Sequence, residues 1–131
     1  SLLDEEGLVP AVTVLLGRSS VPVDLHTDEL PRLAERVELT AYFVVAEALT
    51  NVLKHAQANR ITVEIRYDGR QLTVSLSDDG VGCADEAGGS GLRGLRDRVA
   101  GVDGTLTVSS TAGVGTTVAA SLPVSSALSV A

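Results

Sequence analysis

The chain has 131 residues, 44% of them hydrophobic and 21% charged, with a formal net charge of −7; that is enough for one domain with a real core and excludes a disordered chain. Tyr42, Phe43 and Tyr67 are its only aromatic residues, so stacking on bases is not available, and the acidic balance argues against a nucleic-acid surface, which needs clustered Lys and Arg. The single cysteine, Cys83, excludes an internal disulfide and a cysteine-based zinc site and fits a reducing, cytoplasmic setting. No apolar run approaches membrane-spanning length, and the N-terminus lacks a basic-then-apolar signal pattern. A soluble domain with no direct membrane contact is therefore expected. The first residue is not methionine, which is compatible with a piece of a larger, even membrane-anchored, protein.

In chain order, residues 1–20 read as an N-terminal helical segment. Asp4, Glu5 and Glu6 suit the first turn of an apolar helix over Leu8–Leu16. Residues 21–26 alternate apolar and polar and predict a short strand, with Pro22 favouring a sheet edge. Helical spacing is sustained over 31–55, Pro31 being tolerable near the start. Along it, Val37, Ala41, Val45, Ala48, Leu49, Val52 and Ala56 form the apolar face. Opposite, at about 3.6 residues per turn, Glu47, Asn51 and Lys54 fall at i, i+4 and i+7, with His55 one step round. This stripe reads either as a ligand-facing wall or as a solvated face with incidental i, i+4 support.

Residues 60–67 and 71–76 alternate as a hairpin around Asp68-Gly69. A glycine-rich stretch over 80–94 runs into a short helix through Leu95, Val99 and Ala100. Residues 104–110 and 116–122 form a second hairpin around Ala112-Gly113, and the tail at 125–131 is small, polar and expected to be mobile. Residues 21–124 thus form one α+β domain, a two-layer sandwich with a mixed, mainly antiparallel sheet packed on helices. It is not the strict βαβ alternation of a dinucleotide fold.

Each glycine segment carries two readings. Asp78, Asp79, Gly80, Val81 and Gly82 follow a strand: a carboxylate that accepts from a ligand beside closely approaching backbone, or a plain turn. The GGSGLRGL string at 88–95 offers free N–H groups and a favourable dipole to phosphate at a helix start, or is a linker. It matches neither the Walker loop nor the Rossmann fingerprint. In the GVGTT string at 113–117, Thr116 is a pocket hydroxyl or a β-favouring residue.

Together, and in this order, ExxxN at 47–51, DxGxG at 78–82, GxGL at 89–92 and GTT at 115–117 resemble the motifs of the GHKL ATPase superfamily, named for gyrase, heat-shock chaperone, histidine kinase and MutL. The resemblance covers about residues 21–124. EALTNVLKHA at 47–56 and GLRGLRDR at 91–98 are most similar to the catalytic domain of sensor histidine kinases of the NarL-associated class. The resemblance implies a Bergerat ATP-binding fold with ATP between the 47–55 helix and the glycine segments. It implies Asn51 as the Mg²⁺ ligand, bridging to the phosphates, and Glu47 as the carboxylate that orients a water or serves as a base. Lys54 and His55 would reach phosphate oxygens. Asp78 would accept from the exocyclic amine of adenine, with Gly80, Val81 and Gly82 passing close to the base. Gly89, Gly91 and Leu92 would hold the phosphates through backbone, and Thr116 would reach adenine through water.

Two departures accompany it. The lid between Gly82 and Gly88 is short and lacks a phenylalanine-containing box, an abbreviation usual in the NarL-associated class. The phosphoacceptor histidine and its dimerisation helices are missing, since His26 lies in a strand and His55 on the nucleotide wall. The expected function is therefore a Mg·ATP-binding catalytic domain that gives its γ-phosphoryl group to a histidine on a separate dimerisation domain, with a response regulator downstream. Residues 1–20 would be a remnant of the connection to that domain. The alternatives are a GHKL serine kinase of the anti-sigma type and a non-catalytic nucleotide-binding module.

Overall fold

The computed structural model of the chain describes residues 1–82 and 90–124. Its elements are α1 (Leu2–Glu6), α2 (Leu8–Leu16), β1 (Val23–Thr27), α3 (Glu35–Asn51) continued by a π turn (Val52–Ala56), β2 (Ile61–Tyr67), β3 (Gln71–Asp78), α4 (Ser90–Ala100), β4 (Thr105–Thr111) and β5 (Gly115–Pro123). The strands form one sheet in the order β1-β2-β3-β5-β4. β1 pairs with β2 in parallel and the other three pairings are antiparallel. Edge placement of β1 and a mixed, mainly antiparallel sheet agree with the sequence reading.

Period-two alternation decides which sheet face is dry. Ile61, Val63 and Ile65 of β2, Leu72, Val74 and Leu76 of β3, and Val118, Ala120 and Leu122 of β5 are all buried, and the register sets them side by side. Val37, Ala41, Val44, Val45, Ala48 and Leu49 of α3 close over them in a single cluster with Leu8, Val12 and Leu16 of α2 and Leu92, Leu95 and Val99 of α4. Burying an aliphatic side chain of this size contributes about 1.5–3 kcal/mol, so a core of Val, Leu, Ile and Ala suffices without a buried aromatic ring.

Four boundaries differ from the sequence expectation. The acids at 4–6 belong to a separate short helix, capped by Ser1, whose Oγ accepts from the Asp4 N–H. That helix ends at Gly7, which turns the chain at φ +96°. α3 starts at Glu35 rather than near Pro31, because the Glu38 carboxylate reaches back to the Leu33 N–H at 3.1 Å and to Arg32, holding the preceding residues outside the helix. At its other end α3 widens into the π turn and stops at Gln57, which is left-handed at φ +52°. β3 runs two residues beyond Leu76, so Asp78 is its last residue rather than part of a loop.

Candidate functional site

Asp78 continues the alternation of Leu72, Val74 and Leu76, which puts it on the helix-facing side of the sheet at the point where β3 ends. It is buried, and its Oδ1 accepts the Gly80 N–H at 2.7 Å. Its register partners are Ile61 on one side and Thr116 on the other. Residues directly opposite in an antiparallel pair share a face, so the Thr116 hydroxyl lies on the Asp78 side. Thr116 Oγ1 is 3.1 Å from Ser110 Oγ, its own partner across β4 and β5.

The glycines around Asp78 are required by backbone contacts. Gly115 has φ +140°, and a Cβ there would lie 2.9 Å from the carbonyl carbon of Asp78. Gly82 has φ +72°, and a Cβ there would lie 2.7 Å from the carbonyl carbon of Thr111. The Gly113 N–H donates to the Val81 carbonyl at 2.9 Å. The DDGVG and GVGTT segments, distant in sequence, are therefore one folded unit, with the Val81 side chain exposed on it.

The helix supplies the facing wall. Glu47 and Asn51 are half-buried on the last turns of α3, while Lys54 is exposed and His55 shares its π turn. A π turn closes i→i+5 hydrogen bonds, so Lys54 departs from the straight line that an unbroken 3.6-residue period predicts. Among the described residues, neither the Glu47 carboxylate nor the Asn51 amide has a side-chain hydrogen-bond or ion-pair partner. The carboxylate of Glu47 rests against the backbone of Gly91 in the first turn of α4: a Cβ at Gly91 would lie 2.8 Å from Glu47 Cδ.

Between α3 and α4 lies a cleft of about 180 Å³ lined by Phe43, Glu47, Gly91, Gly94, Leu95 and Arg98. The Arg98 guanidinium stacks 4.2 Å from the Phe43 ring centroid, a cation–π contact that ties the two helices together. Gly91 and Leu92 fall among the first four residues of α4, whose N–H groups have no partner within the helix. The Leu92 side chain is core, so only its backbone can serve a ligand. Gly89 and the short lid expected over 83–87 lie outside the described residues.

The structure thus brings together Asp78, Gly80 and Thr116 at the sheet end, and Glu47 with Gly91 at the helix end. Sequence reasoning passed over Ser110, Phe43 and Arg98 and gave Gly115 only a place in the GTT string; what each does depends on partners far along the chain. It also passed over the distinct part of Asp79. The exposed Asp79 accepts the N–H groups of Asn59 and Arg60 through Oδ1 at 2.8 and 3.0 Å. Those bonds, Arg60 first, hold its carboxyl below the usual aspartate range.

Residues 36–126 match the model of the histidine kinase-, DNA gyrase B- and HSP90-like ATPase family. The chain belongs to that family. The chain is 32% identical to the signal transduction histidine-protein kinase/phosphatase DegS of Brevibacillus brevis over 93% of its own length and 34% of the relative's. It is 35% identical to the signal transduction histidine-protein kinase/phosphatase UhpB of Salmonella typhimurium over 92% of its length and 25% of the relative's. The chain therefore spans between a quarter and about a third of these curated relatives. Among solved structures, the histidine kinase domain of the Erythrobacter litoralis EL346 blue-light activated histidine kinase superposes with TM-score 0.69 at 29% identity, covering 92% of this chain and 59% of that one. This histidine kinase-type ATPase domain has the α+β sandwich that its motifs imply, and the GHKL resemblance holds.

Proposed function

We propose that this domain binds Mg·ATP between α3 and the glycine segments and donates the γ-phosphoryl group to a histidine on a separate dimerisation domain, from which a response regulator receives it. The observation that carries this reading is the seat of the Glu47 carboxylate against Gly91, which sets one member of the polar stripe of α3 beside the first turn of α4. The buried Asp78 at the sheet end supplies an acceptor for the exocyclic amine of adenine. Phosphates suit the α4 N-terminus and the exposed Lys54, and Glu47 lies where a reacting group beside those phosphates would meet it.

Asn51 offers a hard, neutral amide oxygen, and among the described residues no cluster of three or more His, Cys, Asp or Glu could hold a metal alone. That donor set fits Mg²⁺, which commonly takes one or two protein ligands and completes its shell with phosphate oxygens and waters. Bound there, the ion supplies charge neutralisation; this chain's residues hold and align the nucleotide around it. No helix among the described residues is long and apolar enough to cross a membrane, and we place the domain in the cytoplasm, where ATP is. The curated relatives are histidine kinases, and no observation favours the serine-kinase or non-catalytic alternatives.

Calorimetric titration of ATP and GTP, with and without Mg²⁺, on this chain and on Asp78→Asn tests the proposal. ATP should bind and GTP should not, and the substitution should erase the difference. Equal affinity for both nucleotides in the unaltered chain would overturn the adenine assignment.

A further inference from the structure

Asp78 and Asp79 are neighbours with opposite surroundings. Asp78 is buried on the helix-facing side, whereas Asp79 is exposed and engaged with backbone. The last register pair of β2 and β3 is Ile61 with Asp78. Beyond it the Asp79 N–H donates to the Arg60 carbonyl at 3.4 Å, a long bond, while its Oδ1 takes the Asn59 and Arg60 N–H groups at 2.8 and 3.0 Å. The side chain therefore supplies the two short bonds at a point where the main-chain ladder is fading. Hydrogen bonds to a charged acceptor are roughly twice as strong as neutral ones.

What those bonds hold is the exit from the π turn. Residues 52–56 form a single wide turn, which ends at the left-handed Gln57. π turns are rare, even as a single turn continuing an α-helix as here. Asn59 and Arg60 are the first residues after it to be fixed to the sheet. The turn carries Lys54 and His55, the groups assigned to the triphosphate, and Asp79 is joined covalently to Asp78, the group assigned to the base.

We infer that Asp79 is a positioning residue that sets the spacing between the adenine end of the site and its phosphate wall, by clamping the exit of the π turn to the end of β3. The inference rests on the ATP-binding reading and deepens it. Loss of the clamp lets the π turn shift while Asp78, held by the core side of β3 and by Gly80, stays in place. Triphosphate binding should suffer and nucleoside binding should not.

The test is calorimetric titration of ATP and of adenosine on the unaltered chain, Asp79→Ala and Asp79→Asn, with a thermal melt of each. Asp79→Ala should weaken ATP roughly tenfold while adenosine changes less than about twofold. Asp79→Asn, whose amide oxygen can still accept both N–H groups, should restore the ATP-to-adenosine ratio. A merely structural role would weaken both ligands together. That outcome, or an unmoved ratio in Asp79→Ala, overturns the inference while leaving ATP binding by the unaltered chain intact. Failure of the unaltered chain to bind ATP would instead overturn the functional reading, and this inference with it. Should Asp79→Ala not fold, Asp79→Ser, with a shorter and uncharged acceptor, carries the same comparison.

Discussion

The carboxylate of Glu47 occupies the space that a side chain at Gly91 would fill, with a Cβ there only 2.8 Å from Glu47 Cδ. The obstructing atoms are the far end of a flexible side chain, so the conflict can be relieved by moving Glu47 rather than the helices. Gly91→Ala should therefore leave the fold intact and even raise stability by up to about 1 kcal/mol, since alanine is the better helix former. It should lower phosphoryl transfer to a supplied dimerisation domain by tenfold or more, because a displaced catalytic group costs on that scale. A melt paired with a radiolabel transfer assay separates the two effects. Unchanged transfer in a folded Gly91→Ala variant would remove Glu47 from the reaction.

Gly115 is the opposite case. Its φ of +140° is closed to other residues, and the atoms that a Cβ would strike belong to the Asp78 and Asp79 backbone, which cannot swing aside. Gly115→Ala should cost about 3 kcal/mol and weaken ATP binding with it, since Asp78 is the atom group displaced. Urea titration gives the first quantity and calorimetry the second. A variant as stable as the parent would show that the β3 end and the last hairpin do not pack as described.

The contrast between these glycines shows what the sequence could and could not disclose. Strands β2, β3 and β5 were legible because alternation of Val, Leu and Ile with polar residues is a local signal, and the same alternation fixed Asp78 to the dry face once β3 was extended by two residues. The polar stripe on α3 was legible for the same reason. Which glycine matters for what was not: Gly82 answers to Thr111, Gly91 to Glu47 and Gly115 to Asp78, partners that only the fold brings near. The parallel pairing of β1 depends on a contact across the chain, and the start of α3 escaped because it is set by a local side-chain bond, Glu38 reaching back to Leu33 and Arg32, that periodicity does not show. The π turn at 52–56 has no glycine or proline to announce it.

Two carboxylates should shape the acid limb of the stability curve. The Gln71 and Arg70 N–H groups hold the Asp68 carboxyl below its usual range, and those of Arg60 and Asn59 do the same for Asp79. A carboxyl whose folded pKa is depressed contributes stability that is fully present above the unfolded value and is lost as pH falls through the folded one. Both contributions should therefore be intact above about pH 5 and decline below roughly pH 4. Asp68→Asn/Asp79→Asn should flatten the fall in melting temperature across that window and leave the neutral-pH slope alone. A double variant with an unaltered acid limb would contradict the assignment.

Asn51 should control the metal dependence of nucleotide binding. In Asn51→Ala, the gain in ATP affinity on adding Mg²⁺ should drop by roughly tenfold while metal-free binding is little changed. Titration with ATP in Mg²⁺ and in EDTA measures both terms. An undiminished metal-dependent gain would move the ion elsewhere.

The network around Arg32 predicts how the N-terminal helix is held to α3. Glu38 is almost fully buried, and Arg32 meets it through Nε at 3.2 Å and Nη2 at 3.1 Å while also donating to the carbonyls of Leu3, Asp4 and Glu5 at the end of α1. Gly7 keeps the way clear, since a Cβ there would lie 3.2 Å from Arg32 Cδ. Removing one partner of such a pair is worse than removing both, because it leaves a buried carboxylate with too few donors. Arg32→Ala should lower the melting temperature by roughly 5 °C or more, and adding Glu38→Leu should restore part of the loss. In Arg32→Ala the amides of residues 2–6 should also exchange faster with solvent, because α1 is too short to stand alone. Full protection of α1 in that variant would mean that its packing, and not Arg32, anchors it.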